Sequence, residues 1–243
     1  MDHVEIRNLK KVYRASGENE DVYAVNDITL TVPRGEFLAV MGASGSGKTT
    51  LLHLIAGLTA STEGSVTING VCIDTLSDRE QTLFRRDHIG FVFQSFNLIP
   101  TLTAEENILL PVLAGGGHHI AKEKLRSALD QLLERLNLTG RRHHYPDAMS
   151  GGEQQRTAIA RALLLDYAAE TEGTLLLADE PTGNLDSANG EVICKLLREL
   201  CTERKHTMIV VTHEPAVARW ADRVIRLKDG KIVEDIPADK LEA

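Results

Sequence analysis

The chain has 243 residues, 42% hydrophobic and 26% charged, with a formal net charge of -8 and a pI near 5.6. That length buries a sizeable core in one large domain, or in one domain carrying an insertion. Acidity disfavours broad contact with nucleic acid, and apolar runs such as Phe37–Met41 and 175–178 are far shorter than the roughly 20 residues of a membrane-spanning helix. The first residues lack the basic and apolar regions of a secretory signal, so a cytosolic chain is expected. Cys72, Cys194 and Cys201 have neither C-x-x-C spacing nor an even count and are read as reduced packing residues.

Residues 4–9 and 24–32 alternate apolar and polar side chains, the period of strands in a half-exposed sheet, with 15–21 as the loop between. Phe37–Met41 is a short buried strand entering a Gly-rich turn, and 50–58 follows as a helix with Leu51, Leu54, Ile55 and Leu58 on one face. Residues 64–68 with Asn69-Gly70 form a strand and turn, and 89–93 another buried strand. Helical spacing then takes over at 103–110, 121–136 and 152–165, so 94–162 is a mainly helical insertion. Strands resume at 175–178, 208–211 and 224–227, with helices at 190–201 and 215–221 between them. Strands alternating with helices imply a mostly parallel sheet, here interrupted by the insertion.

The run Gly42, Ala43, Ser44, Gly45, Ser46, Gly47, Lys48, Thr49 fits G-x-x-x-x-G-K-[ST] between an apolar strand and an amphipathic helix, the context a phosphate loop requires. Its glycines let backbone N–H groups face an anion, Lys48 reaches the β and γ phosphates of ATP, the Thr49 hydroxyl ligates Mg²⁺, and Thr50 continues the helix start. A buried strand ending in Asp179 and Glu180 supplies a metal carboxylate and a general base for the attacking water. Ser150, Gly151 and Gly152 stand at a second helix start, where free N–H groups again suit a phosphate.

The segment from Met149 to Arg156, Met-Ser-Gly-Gly-Glu-Gln-Gln-Arg, resembles the signature peptide of ABC-type ATPases. The resemblance extends over nearly the whole chain: Tyr13 takes the place of the adenine-stacking aromatic, Gln94 of the Q-loop glutamine that touches Mg²⁺, Asp186 of the D-loop acid and His213 of the switch histidine. It implies an α/β P-loop NTPase fold, with a mostly parallel RecA-like core and an N-terminal antiparallel β subdomain (1–93 and 163–243) and an inserted helical subdomain (94–162). It also implies a head-to-tail dimer with ATP between the phosphate loop of one copy and the signature of the other, on the cytoplasmic face of a membrane and bound to a permease subunit.

The runs 178–187, 90–100 and Tyr145-Pro146 resemble the subgroup of lipoprotein-releasing, macrolide-exporting and cell-division ATPases. Non-transport relatives and an ATPase-deficient regulator are the alternatives. Translation-associated relatives carry two cassettes and repair proteins long coiled coils or zinc hooks, while an intact Glu180 and His213 argue for hydrolysis. Phe96, Asn97, Leu98 and Ile99 with 83–86 are the expected lining of a groove for the permease's coupling helix. Residues 166–174 are expected as an exposed acidic loop, Met149 as a conservative replacement of leucine, and His118-His119, His143-His144, Arg85-Arg86 and Arg141-Arg142 as solvated surface.

Overall fold

The computed structural model describes residues 2–14, 21–113, 120–169 and 173–241. Both the pair His118-His119 and most of the expected 15–21 loop lie outside them. The chain opens with β1 (Asp2–Tyr13) and β2 (Val22–Pro33), both longer than their alternation marks because bulges carry the pairing on to Tyr13 and Val22. In β3 (Phe37–Met41) all five residues are buried, as a strand covered on both faces must be. α1 (Lys48–Ile55) buries Leu51, Leu54 and Ile55 as the spacing predicts. Leu58 is a correction: it lies beyond the helix and is 47% exposed. The helix closes at Gly57 (φ 63°), with Gly57 N–H bonded to Leu54 O and Leu58 N–H to His53 O. Such a left-handed closure suits glycine, and it overrides the apolar period.

β4 (Glu63–Ile68) turns through Asn69 and Gly70, both at positive φ, into β5 (Val71–Cys72). α2 (Asp78–His88) has no counterpart in the sequence reading, because none of its residues is buried and no apolar stripe marks it. Its signal is a capping box: Ser77 N–H donates to Glu80 Oε2 at 2.9 Å while Glu80 N–H donates to Ser77 Oγ. β6 (Ile89–Val92) leads to the expected helices α3 (Ala104–Leu113), α4 (Lys122–Arg135) and α5 (Gly151–Ala169). The chain continues through β7 (Leu175–Asp179), α6 (Ser187–Arg204), β8 (Thr207–Thr212), a short α7 (Pro215–Ala218), β9 (Arg223–Lys228) and β10 (Lys231–Pro237). β10 went unread because it is an edge strand whose alternate residues are only half-buried.

These strands form two sheets. The antiparallel one has the order β2-β1-β4-β5, and the larger has the order β10-β9-β3-β8-β7-β6, parallel except for β10. One face of the larger sheet, with Leu38, Val40, Ile209 and Val211, packs with α1 and the antiparallel sheet. The other, with Phe37, Ala39, Met208 and Val210, packs with α3, α4, α5 and α6. Strict alternation along β3 and β8 thus splits the core into two halves that share one sheet. Among the described residues no helix is long and apolar enough to cross a membrane.

Of the exposed loop expected over 166–174, residues 170–172 lie outside the described residues, and the part before them is a correction. α5 continues to Ala169, and Asp166 is 4% exposed, accepting from the Thr174 hydroxyl at 2.7 Å and lying 3.3 Å from Arg204 Nε and 3.6 Å from His206 Nε2. Acidic composition suggested solvent, but the charge is buried against partners that come from the end of α6. Burial lowers the pKa of His206 in spite of the facing carboxylate. Replacing one member of such a group leaves the others desolvated and unmatched. We expect Asp166→Ala to lower the unfolding free energy by about 2 to 3 kcal/mol in urea titration, the low end of the range because Arg204 reaches solvent.

Candidate functional site

The parallel register sets Met41 opposite Thr212, Asp179 opposite Val211 and Val92 opposite Ala178, so the carboxyl ends of β3, β6, β7 and β8 share one edge. Residues just past those ends converge there, the general position of ligands on open α/β sheets. Among the described residues, Ala43, Ser44, Gly45, Gly47, Lys48, Thr49, Thr50, Gln94, Glu180 and His213 line one cavity of about 760 Å³. All ten carry nucleotide chemistry in the sequence reading. Val22, Tyr23 and Ala24 of β2 complete the lining, and these the sequence reading missed. The available signal was Tyr23, a large aromatic on the exposed face of an amphipathic strand, 53% exposed. Tyr13 is not among the lining residues: it ends β1, paired across from Val22, with the Lys11 ammonium 5.2 Å from its ring centroid.

At Gly42 and Gly47 the phosphate loop lies so close to neighbouring backbone that a side chain is excluded. A Cβ on Gly47 (φ 101°) would lie 2.0 Å from Ala24 O, and one on Gly42 would lie 2.4 Å from Leu227 O and 2.5 Å from the oxygen of the buried Ser46. Lys48, 6% exposed, turns back over this loop and donates to the carbonyls of Gly42 and Ala43, both at 2.9 Å. A nearly buried ammonium held by carbonyls, with no carboxylate partner among the described residues, is matched by an anionic ligand.

Beside it the Thr49 hydroxyl donates to Asp179 Oδ1 at 3.2 Å. Burial raises the pKa of Asp179, and the Thr49 hydrogen bond opposes the rise. Two hard oxygens meeting at one point, one of them a desolvated carboxylate, are the donor type that Mg²⁺ takes.

Glu180 follows β7 at φ 43°, a left-handed conformation that costs a non-glycine residue about 1 to 3 kcal/mol. It is pinned there by its N–H to Val211 O at 2.9 Å and by Gly183 N–H to its own carbonyl at 3.0 Å. The conformation aims the side chain into the cavity, where His213 Nδ1 donates to Oε1 at 3.0 Å and Gln94 Nε2 to Oε2 at 3.3 Å. Gln94 thus engages the carboxylate of Glu180 rather than the Thr49–Asp179 pair. Its own carbonyl accepts from Asn184 Nδ2 at 2.8 Å.

Ser150, Gly151, Gly152 and Asp186 do not line this cavity. Ser150 caps α5, with its hydroxyl oxygen accepting from Glu153 N–H at 3.3 Å and its N–H donating to Glu153 Oε2 at 2.8 Å. The Arg141 guanidinium and that N–H together hold the Glu153 carboxyl down to about 2. Asp186 caps α6, accepting from Asn189 N–H at 2.9 Å, and the same Asn189 lies against Gly152, where a Cβ would stand 3.0 Å from its Oδ1. Both capped starts are therefore packed together, away from the phosphate loop of their own chain.

The remaining candidates are accounted for by local contacts. Arg85 donates to Gly57 O, Arg86 pairs with Asp87, Arg141 with Glu153, and Arg142 with Glu105 and Asp130. Met149 is buried in the helical core, and the His143 side chain is largely exposed. No group of three metal-binding side chains occurs among the described residues. In the expected coupling groove, Ile99 and Leu83 are 41% and 40% exposed.

This geometry predicts that Lys48→Ala weakens ATP binding by about 1.5 to 3 kcal/mol, roughly tenfold to a hundredfold in Kd, as calorimetry or fluorescent-nucleotide titration would measure.

A family model described as ABC transporter matches residues 25–183. The macrolide export ATP-binding/permease protein MacB of Rhodopirellula baltica is 44% identical over 233 residues, covering 96% of this chain but 33% of that protein. The chain thus spans about a third of the length of that relative. An uncharacterised ABC transporter ATP-binding protein of Methanocaldococcus jannaschii is 45% identical over 230 residues, 94% of each chain. A solved dimer of this archaeal cassette, in a post-hydrolysis state with ADP and phosphate, superposes with a TM-score of 0.85 at 43% identity, covering 97% of this chain and 98% of that one. Phosphate loop, acidic strand end and family match agree: the chain belongs to the ABC transporter family and is one of its ATP-hydrolysing, ATP-binding cassettes.

Proposed function

We propose that this cassette works as one half of a head-to-tail dimer closing on two ATP molecules, and that closure drives a membrane-embedded permease. The observation that carries the reading is the separation of two anion-binding helix starts. Lys48 to Thr50 line the nucleotide cavity, whereas Ser150, Gly151 and Gly152 lie outside it, with Ser150 exposed and Gly152 buried against Asn189. The archaeal relative solved as a dimer with ADP and phosphate supports the pairing. A macrolide-export relative that joins ATP-binding and permease parts in its name supports the permease.

Within each composite site the roles follow from the chemistry of the side chains. Lys48 and the N–H groups of 43–49 hold the phosphates, while Tyr13 and Tyr23 offer aromatic faces near the cavity mouth. Thr49 and Asp179, with Gln94 beside them, would hold Mg²⁺, and the cation would supply charge neutralisation for the phosphates. Glu180 orients the attacking water and accepts its proton, and His213 fixes the carboxylate and reaches toward the γ-phosphate. Ser150, Gly151 and Gly152 of the second copy cap that phosphate, and Asp186 holds the adjoining helix start. Loss of the γ-phosphate removes the contact between copies, so hydrolysis opens the dimer.

The cassette sits on the cytoplasmic face of its membrane, with Phe96 to Ile99 against the permease. Export or extraction of lipoprotein, drug or peptide is the cargo class that the resemblance favours. A translation- or repair-associated role is the alternative, and the paired Arg85, Arg86, Arg141 and Arg142 speak against a nucleic-acid surface.

Glu180→Gln keeps the shape of the side chain and removes the base. Hydrolysis is expected to fall by about 10²-fold or more while ATP still binds. Size-exclusion chromatography with light scattering should then find an ATP-dependent dimer, and affinity capture from detergent-solubilised membranes should recover a multi-span protein. Wild-type hydrolysis by the variant would remove Glu180 as base, and recovery of ribosomes or nucleic acid alone would favour the non-transport reading.

A further inference from the structure

β6 ends at Val92, and the chain leaves it through Gln94 in a turn closed by Phe96 N–H to Phe93 O and Asn97 N–H to Ser95 O. Phe96 and Asn97 are two consecutive non-glycine residues in the left-handed region, at φ 60° and 48°. Such a pair does not hold itself and must be fixed from outside. The outside contact is Arg161 on α5, whose guanidinium donates from Nη2 to Phe96 O at 2.7 Å and from Nη1 to Asn97 O at 2.5 Å.

Two further observations make this a built contact rather than a surface encounter. α5 is seated directly on β6, since a Cβ on Gly90 would lie 2.6 Å from Ala162 O, and this close approach brings the residue beside Ala162 under the emerging loop. Arg161 also has no carboxylate partner among the described residues, and burial alone acts on it, lowering its pKa from the ordinary arginine value. A largely desolvated guanidinium normally finds an acid. Here two loop carbonyls take its charge instead.

We propose that Arg161 is the positioning residue of the Gln94 loop: its fork holds the Phe96 and Asn97 carbonyls and so fixes where Gln94 meets Glu180. The inference rests on the ATPase reading above and adds a mechanical link to it. Gln94 is then held from two sides, by Asn184 on its carbonyl and by Arg161 through the turn. Arg161 and the start of α5 at Gly151 belong to one rigid helix, so displacement of the turn by a docked permease is passed to Ser150 and Gly152. Arg161 touches no reacting atom and acts through Gln94.

A double-mutant cycle on the full chain tests this, with wild-type ATPase activity as the control. An inactive wild type would instead count against the ATPase reading itself. Arg161→Met keeps the apolar stem and removes both donors. We expect kcat to fall about tenfold with the KM for ATP within about twofold, and the same substitution in a Gln94→Ala background to cost less than about twofold further. Losses that multiply across the two backgrounds, or an unchanged kcat in Arg161→Met, would overturn the proposal. Should Arg161→Met not fold, Arg161→Lys retains the charge but cannot bridge both carbonyls. The same coupling to Gln94 is then expected, and multiplicative losses would again overturn the proposal.

Discussion

The parallel register of β6, β7, β8 and β3 is the constraint on which the site depends. Residues separated by as many as 171 positions, Gly42 and His213 among them, are brought to one sheet edge because the ladder pairs Met41 with Thr212 and Asp179 with Val211. No local sequence feature could assemble the cavity without it. The core enforces the register from both sides: a slip of one residue in β3 would exchange Phe37 and Ala39 for Leu38 and Val40 between two differently shaped layers.

Around that frame the site holds charge and backbone in states that a folded protein usually avoids. Lys48 is nearly buried against carbonyls, Asp179 is desolvated, and Glu180, Phe96 and Asn97 occupy left-handed conformations. Specific contacts hold these residues: the Gly42 and Ala43 carbonyls on Lys48, Val211 and Gly183 on Glu180, Asn184 on Gln94, Arg161 on the turn. The nucleotide chemistry is therefore inseparable from the links between β6, α5 and the end of β7. The same links join α5, through the turn and Gln94, to the carboxylate of Glu180.

Much of this was legible in the sequence because the phosphate loop and acidic strand end are local patterns set beside strongly apolar strands. The buried strands 37–41 and 175–178 announce themselves by composition alone. What escaped has a physical reason in each case. α2 has no fully buried residue and is marked only by the Ser77–Glu80 box, β10 lies at an edge, and the Gly57 closure cuts α1 short of Leu58. Asp166 looked like solvent-facing charge because its partners Arg204 and His206 are far along the chain. Tyr23 was missed because its place beside the cavity follows from cross-strand position, which residue type does not reveal.

The central claim, that each nucleotide site is completed by a second copy, is tested most directly by crosslinking between chains. One Glu180→Gln chain carries Ser44→Cys in the phosphate loop, another carries Ser150→Cys at the second helix start, and the two are mixed with a short thiol crosslinker. Cys194 and Cys201 are buried with thiols pushed up to about 12, and the partly exposed Cys72 is replaced by serine in both chains. The account predicts crosslinked heterodimers with ATP and none with ADP. Heterodimers that form equally in both nucleotides, or that never form although ATP binds, would contradict it.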